Sequence, residues 1–355
     1  MMSVSSSART RAPSGREPAS GPAGSRAGMA AGIGASLVWG TAFLVPVLLG
    51  GWNPVIVTLG RYLVYGLLSA ILLIRGGRDV RRILRTHWRA ALAFAIAGNA
   101  GYYLLLTVAI AAAGAPLTDM VIGAIPVVVA VAGNILTPAV RWRRLLLPLA
   151  LVTAGLALVS ALELSGVHAY LHVTAGEKMA GLAAAVGAVV LWTWYALANA
   201  RFLSRVPAAQ TAAHPTDQPT DQPADQPALS PASWSTAVGV ATGAVALAAL
   251  PAAALTGQLA APRGAHASLA GLIAGAIFLG VAVSWLGTAA WNVASSRLSA
   301  VMAGLLVNLE TVTGFGYVYA ARRQWPPPGQ LAGLVLVMAG VVLTMIISRP
   351  GRSPA

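Results

Sequence analysis

The sequence predicts an all-α polytopic membrane protein, with ten transmembrane helices in two inverted five-helix repeats. Three observations lead there. Hydrophobic residues make up 57% of the chain and charged residues 9%, whereas a soluble domain carries roughly 25% charged residues. Apolar runs recur at the length, about 20 residues, that a hydrocarbon core of roughly 30 Å asks of a helix. The chain also repeats itself 185 residues on: Leu151-Val152-Thr153-Ala154-Gly155 becomes Leu336-Val337-Met338-Ala339-Gly340. Likewise Thr107-Val108-Ala109, followed by Ala115, becomes Asn292-Val293-Ala294, followed by Ala300. Five spans per repeat is an odd number, so the second repeat enters the membrane from the opposite side. Secondary transporters are often built this way, with the substrate site between the halves.

Residues 1–27 are rich in Ser, Arg, Pro and Gly and read as a disordered cytoplasmic tail. They do not form a signal peptide, because the apolar run that follows is too long and ends in no small-residue cleavage pattern. The first repeat, 28–163, holds spans near 29–49, 54–74, 90–112, 115–137 and 145–162. Residues 164–206 supply an outside loop and the span near 179–200, which opens the second repeat. The 207–230 segment repeats Thr216-Asp217-Gln218-Pro219 as Thr220-Asp221-Gln222-Pro223 and Ala224-Asp225-Gln226-Pro227. Such polar, Pro-bearing units cannot bury a core, so this is expected to be a disordered cytoplasmic linker. Residues 231–348 hold the remaining spans, near 235–255, 270–293, 299–320 and 329–348, and 349–355 form a cytoplasmic tail. The runs are continuous rather than alternating, and an open sheet cannot span lipid, so helices are expected throughout.

Charge sets the orientation. Placing the N-terminus inside puts 18 of the 23 Lys and Arg residues on the cytoplasmic side, among them Arg75, Arg78, Arg81, Arg82, Arg85, Arg89, Arg141, Arg143 and Arg144. The outside holds Lys178, Arg263, Arg322 and Arg323, and Arg61 lies within a span. Both termini are therefore cytoplasmic and the chain is a multi-pass protein of the inner (plasma) membrane. The same distribution explains the net charge of +14 without nucleic acid, for which there is no folded basic domain. With no cysteine, neither a disulfide framework nor a thiolate metal site is available.

Charges within spans are the sharpest functional candidates, since one at mid-bilayer costs at least ~2.5–3.5 kcal/mol on insertion scales. Glu310 lies near the centre of the ninth span and has no acidic repeat mate, Ile125 standing 185 residues earlier. A proton or a substrate amine is its functional reading; a structural partner for Arg61 or an interhelical hydrogen bond is the bland one. Arg61 either binds an anionic group, pairs with Asp119 or Glu310, or snorkels outward. Asp119 lies about one turn inside the fourth span, where simple solvation is expected. Trp39, Tyr102, Tyr103, Trp192, Trp194, Tyr195, Trp285 and Trp291 offer aromatic faces, of which Trp39 and Trp192 are the leading candidates for stacking or cation–π contact. Asn99, Asn292 and Asn308 either line a cavity or bridge helices. Gly28, Gly32, Ser36 and Gly40, with Gly329 and Gly333, form small-residue stripes that bring helices close, within a monomer or across a homodimer. His168 and His172, near Glu163 and Glu177, have the spacing of a metal pair, but solvated loop histidines are the simpler reading. No phosphate-binding glycine loop, zinc-protease motif or other cofactor signature is present.

Trp39-Gly40-Thr41-Ala42-Phe43, then Pro54, then Arg61, and later Leu309-Glu310-Thr311-Val312, Gly333 and Ala339-Gly340, give the chain a family likeness. Over roughly 29–348 it resembles the EamA-like branch of the drug/metabolite transporter superfamily. The resemblance implies a ten-helix, two-repeat carrier of small metabolites, amino acids or toxic compounds, moved mostly outward. It implies a Trp-Gly pair in the first helix, Arg in the second and Leu-Glu-Pro in the ninth. Here Thr311 replaces that Pro, Thr193 follows Trp192 in place of glycine, and Ala139 and Gln324 stand where members often carry Glu.

The expected function is therefore secondary-active transport by alternating access, in a bilayer, with a small-molecule substrate and a proton or counter-substrate. The rivals are a membrane-embedded enzyme acting on lipid-linked substrates, which would need clustered acidic or His residues at a membrane face, and a non-transporting scaffold. The charge asymmetry makes a direct prediction. Reporter tags at the C-terminus and in the 207–230 loop should both report cytoplasm, and a tag beside His168 the outside. A C-terminal tag and a His168 tag on the same side would overturn the inverted arrangement.

Overall fold

The computed structural model describes residues 22–136, 141–164, 174–205, 231–260, 268–297, 306–307 and 309–347. Among them every regular element is helical, and eight helices are long and apolar enough to cross a membrane. In order these are α1 (Pro22–Leu48), α2 (Pro54–Gly76), α3 (Arg78–Phe94) running on into α4 (Tyr102–Ala113), α5 (Ala115–Gly123) followed by α6 (Ile125–Leu136), α7 (Trp142–Leu164), α8 (Ala175–Arg205), α9 (Pro231–Leu255), and α10 (Leu269–Phe278) running on into α11 (Gly287–Arg297). The chain continues with α12 (Leu309–Arg322) and α13 (Pro328–Ile347). The sequence suggested ten full-length spans. Of the last two, the ninth is described over a shorter stretch, and Pro328–Thr344 is apolar but shorter than the other crossings. The tail 1–21, the segment 206–230, His168 and His172 lie outside the described residues.

Helix ends follow local chemistry. Asn53 caps α2, its Oδ1 accepting from Val55 N at 2.9 Å, with Pro54 in the first turn. Thr174 and Glu177 cap α8 reciprocally: Glu177 N donates to Thr174 Oγ1 and Thr174 N to Glu177 Oε2. Gly114, at φ 89°, is the single residue between α4 and α5, a conformation that L side chains rarely adopt. The fourth span is not one rod: α5 ends at Gly123 and α6 begins at Ile125.

Two spans carry a widened turn. Ala95–Gly101 joins α3 to α4 as a π-helix, and Leu279–Leu286 joins α10 to α11 in the same way. Such turns bond i to i+5 and frequently mark functional positions. The second lies about 185 residues after the first, so the irregularity repeats with the sequence.

Packing uses the small residues. Gly66 of α2 and Gly243 of α9 meet backbone to backbone, with no room for a Cβ on either. Gly155 of α7 abuts the Gly333 carbonyl of α13, and Gly340 abuts the Pro148 carbonyl. In the first stripe, Gly32 faces Leu306 and Ala294, Gly40 faces Thr313, and Ser36 Oγ donates to the Leu306 carbonyl at 2.6 Å. These stripes are thus occupied within one chain. A buried cluster centred on Phe43, Tyr62, Tyr103, Leu106, Met120 and Phe315 fills the middle of the bundle. A second cluster joins Val80, Ile83 and Phe94 to Trp234, on which Phe202 stacks at 4.6 Å.

Gly66→Ala should strain the α2–α9 crossing by about 1–3 kcal/mol and lower the thermal midpoint of the detergent-solubilised protein. Gly34→Ala, where a Cβ meets nothing within 4 Å, should leave the midpoint unchanged or slightly raised. Equal midpoints for the two variants would show that the crossing is not tight.

Candidate functional site

The widened turns place polar groups where the bundle is otherwise apolar. In the first, the Asn99 carbonyl accepts from Tyr62 Oη at 2.8 Å, and Asn99 Nδ2 donates to Thr242 Oγ1 of α9 at 2.9 Å. In the second, the Val283 carbonyl accepts from Trp39 Nε1 at 3.0 Å, and the neighbouring Ser284 Oγ accepts from Arg61 Nε at 2.9 Å. Each turn is therefore tied to α1 or α2 by a side-chain donor. In lipid a backbone carbonyl has no water to bond, so such ties are the means of keeping a π-turn.

Arg61 sits at the centre of this group. Its guanidinium lies 4.0 Å from the centroid of the Tyr103 ring and 5.2 Å from that of Tyr62. The two rings meet edge to face at 6.0 Å. A desolvated cation over aromatic faces gains about 2 kcal/mol or more. The sequence offered Arg61 an anionic ligand, a carboxylate partner or an outward path. The structure holds it with Ser284 and two tyrosines, and keeps it half-buried.

Two carboxylates complete the set. Glu310 lies half-buried in the first turn of α12, within electrostatic reach of Arg61, Tyr102 and Asp119. Asp119 overturns its expected solvation: its side chain is 0% exposed, and neither carboxyl oxygen makes a hydrogen bond of ordinary geometry. The break after Gly123 and the turn at Gly114 hold α5 deep in the bundle, every residue of it buried. Asp119 there faces the bare backbone at Gly314 and Phe315 of α12.

Of the residues the sequence singled out, Arg61, Glu310 and Asp119 come together with Tyr102 and Tyr103. Asn99 joins them through Tyr62, and Trp39 through the Val283–Ser284 turn. Trp39 also tilts against Trp291 at 5.7 Å. Trp192 packs against the same buried cluster as Tyr62 and Tyr103 and meets Tyr195 edge to face at 6.2 Å. Asn308 lies outside the described residues. Thr311 does not kink α12, which runs unbroken from Leu309 with Thr311 packed against Gly123.

Sequence reasoning missed Tyr62 and Ser284. Ser284 had a signal: it stands 185 residues after Asn99, so both repeats place a polar residue at one position. The arrangement offers one guanidinium, two carboxyl groups and several aromatic faces inside a largely apolar core.

Comparison with known proteins agrees with this picture. Residues 26–161 match the EamA-like transporter family. The chain is 31% identical over 328 residues to the inner membrane protein YtfF of Escherichia coli (strain K12), covering 88% of this chain and 92% of that protein. The chain belongs to the EamA-like transporter family. It is a membrane transporter of the drug/metabolite type, embedded in a lipid bilayer and acting on a small molecule. A crystal structure with 19% sequence identity superposes with a TM-score of 0.59, over 92% of this chain and 99% of its own; it shares the fold.

Ser284→Ala removes the hydrogen bond from Arg61 Nε. Bonds to charged groups contribute about 1.5–3 kcal/mol, and the unfolding midpoint in detergent should fall accordingly. Ser284→Thr should restore it. No loss in the alanine variant would mean that the tyrosine rings suffice.

Proposed function

We propose that this EamA-like transporter is a secondary-active carrier that exports small metabolites, amino acids or drug-like compounds. Ten spans in two inverted five-helix repeats rock against one another around a central site. Both termini face the cytoplasm.

The observation that carries the reading is the Arg61–Ser284 bond, with Glu310 within electrostatic reach. It joins the first repeat to the second at the widened turn, and so lies where alternating access needs its substrate. The contact pattern supports the two-repeat reading. Exchanging the first five spans with the second five maps α2–α9 and α7–α13 onto themselves, α4–α8 onto α11–α1, and α3–α9 onto α10–α2. The same exchange turns the Gly155–Gly333 approach into that of Gly340 and Pro148.

In this mechanism Arg61 receives an anionic group and Glu310 a proton or a cationic group. Trp39 and Trp192 offer aromatic walls, and Asn99 and Asn308 hydrogen bonds. Asp119 is the third group, buried where α5 meets α12. Native structures rarely leave a buried carboxyl unpaired, and movement of α12 past α5 gives it new partners in the opposite conformation. Outward direction follows the family resemblance. A membrane-embedded enzyme remains the rival, and solute flux in proteoliposomes without chemical change of the solute separates the two.

Glu310→Gln keeps shape and hydrogen-bonding capacity while removing the charge. Losing one charge-assisted contact, about 1.5–3 kcal/mol, corresponds to a roughly ten- to hundredfold fall in flux. Flux per inserted molecule, measured from about pH 5 to about pH 9 beside the parent protein, checks this. Equal flux across that range would remove Glu310 from the mechanism and leave Arg61 as the leading group.

A further inference from the structure

The helix that begins at Arg78 is longer than a crossing requires. From Arg78 to Ala113 it runs 36 residues, about 54 Å at 1.5 Å per residue, against a hydrocarbon core of about 30 Å. The excess must lie at the level of the lipid headgroups. The backbone marks the division at His87, whose φ of −127° and ψ of 24° leave the helical region.

The segment before that break is two-faced. Val80 and Ile83 are buried in the cluster with Trp234 and Val238. Arg78, Arg81, Arg82 and Arg85 are exposed on the opposite side, at helical spacings of three and four. With Thr86 they line an open cavity of about 430 Å³. Asp79 is the sole acidic residue between Arg75 and Asp119 in sequence, so the local charge is strongly positive. Trp88, 52% exposed, lies just past the break with the Arg89 guanidinium 5.5 Å from its ring centroid. Exposed Trp is enriched at the membrane–water boundary. Ile71 and Ile74, near the end of α2 and just before Arg78 in sequence, are exposed as well, Ile74 at 75%.

We propose that this face binds the phosphate headgroup of an anionic phospholipid. The four guanidinium groups spread over about 10 Å of helix. They offer the planar, bidentate donors that match phosphate oxygens. Exposed apolar residues that flank the arginines in sequence distinguish a lipid from a soluble anion: acyl chains would cover Ile71, Ile74 and Trp88, while free phosphate leaves them bare. Basic pockets at the headgroup level of a bundle are suited to such lipids. The site lies outside the Arg61–Glu310 group and rests on membrane embedding alone, so its test is independent of transport.

The full chain, purified in mild detergent, is titrated with phosphatidylglycerol, cardiolipin, phosphatidylethanolamine or glycerol phosphate, and complexes are counted by native mass spectrometry. The parent protein should retain one anionic phospholipid in preference to phosphatidylethanolamine, with glycerol phosphate a poor competitor. The R78Q/R81Q/R85Q variant, which leaves Arg82 and its own contacts in place, should bind that lipid roughly a hundredfold more weakly. R78K/R81K/R85K, as a folding control, should lose less. R141Q/R143Q/R144Q removes equal charge from exposed positions elsewhere and should bind as the parent does. Equal weakening in the two glutamine variants would reduce the effect to net charge and overturn the site, as would no weakening in either. Full competition by glycerol phosphate would replace the lipid with a soluble anion.

Discussion

Arg61 holds a positive charge half-buried within a membrane span, and the central helices are arranged to keep it there. Insertion of such a charge costs roughly 2.5–3.5 kcal/mol or more. A hydrogen bond to a charged group and a desolvated cation–π contact, each about 2 kcal/mol, offset a cost of that size. Ser284 is reached because the eighth span widens there, and Tyr103 because it follows the widened turn of the third span. Tyr62, next to Arg61 in sequence, closes the set by bonding the Asn99 carbonyl. Remove the charge and these irregularities lose much of their reason.

The same constraint explains what could be read from residues alone. Arg61, Glu310 and Asp119 stood out because charges are so few in the spans. Their partners did not, because a serine or tyrosine in an apolar helix is common and says little about direction. Asn99 and Ser284 formed a readable pair through the repeat, but neither residue type attracts attention singly. For Asp119 the sequence suggests solvation, whereas the side chain is buried. Its distance from the end of an apolar run suggested the interface. Gly114 and the break after Gly123 instead carry that end of the span into the bundle. Turn geometry of this kind has no periodic signal. Arginines before the third span lower the local hydropathy, so the sequence marks the crossing near 90–112 but not the helical stretch that leads into it from Arg78.

The small-residue stripes illustrate a different limit. Their spacing announces close packing but not the partner. The structure supplies it: α1 closes on α11 and α12, and α7 on α13. With the glycines used inside the chain, the large apolar side chains are left to face lipid. Leu67, Val190, Leu247 and Val335 are each more than half exposed. That is the outward composition a bilayer favours, since lipid tails are as apolar as leucine.

The paired π-turns have a consequence for how the chain tolerates change. Each acts as a phase shift. One residue more or fewer in a helix rotates everything beyond it by about 100°. Shortening Ala95–Gly101 by a residue would swing Tyr103 off Arg61 and part Thr107 from Thr58, which lie 3.2 Å apart through their hydroxyl oxygens. Shortening Leu279–Leu286 would turn Trp291 away from Trp39. Around Asn99 and Ser284 these stretches are mostly Ala, Gly, Val and Leu, but Gly98 and Gly280 leave no room for a Cβ, so both their composition and their length are constrained. A single-codon deletion there would dismantle a site whose charged residues are all still present.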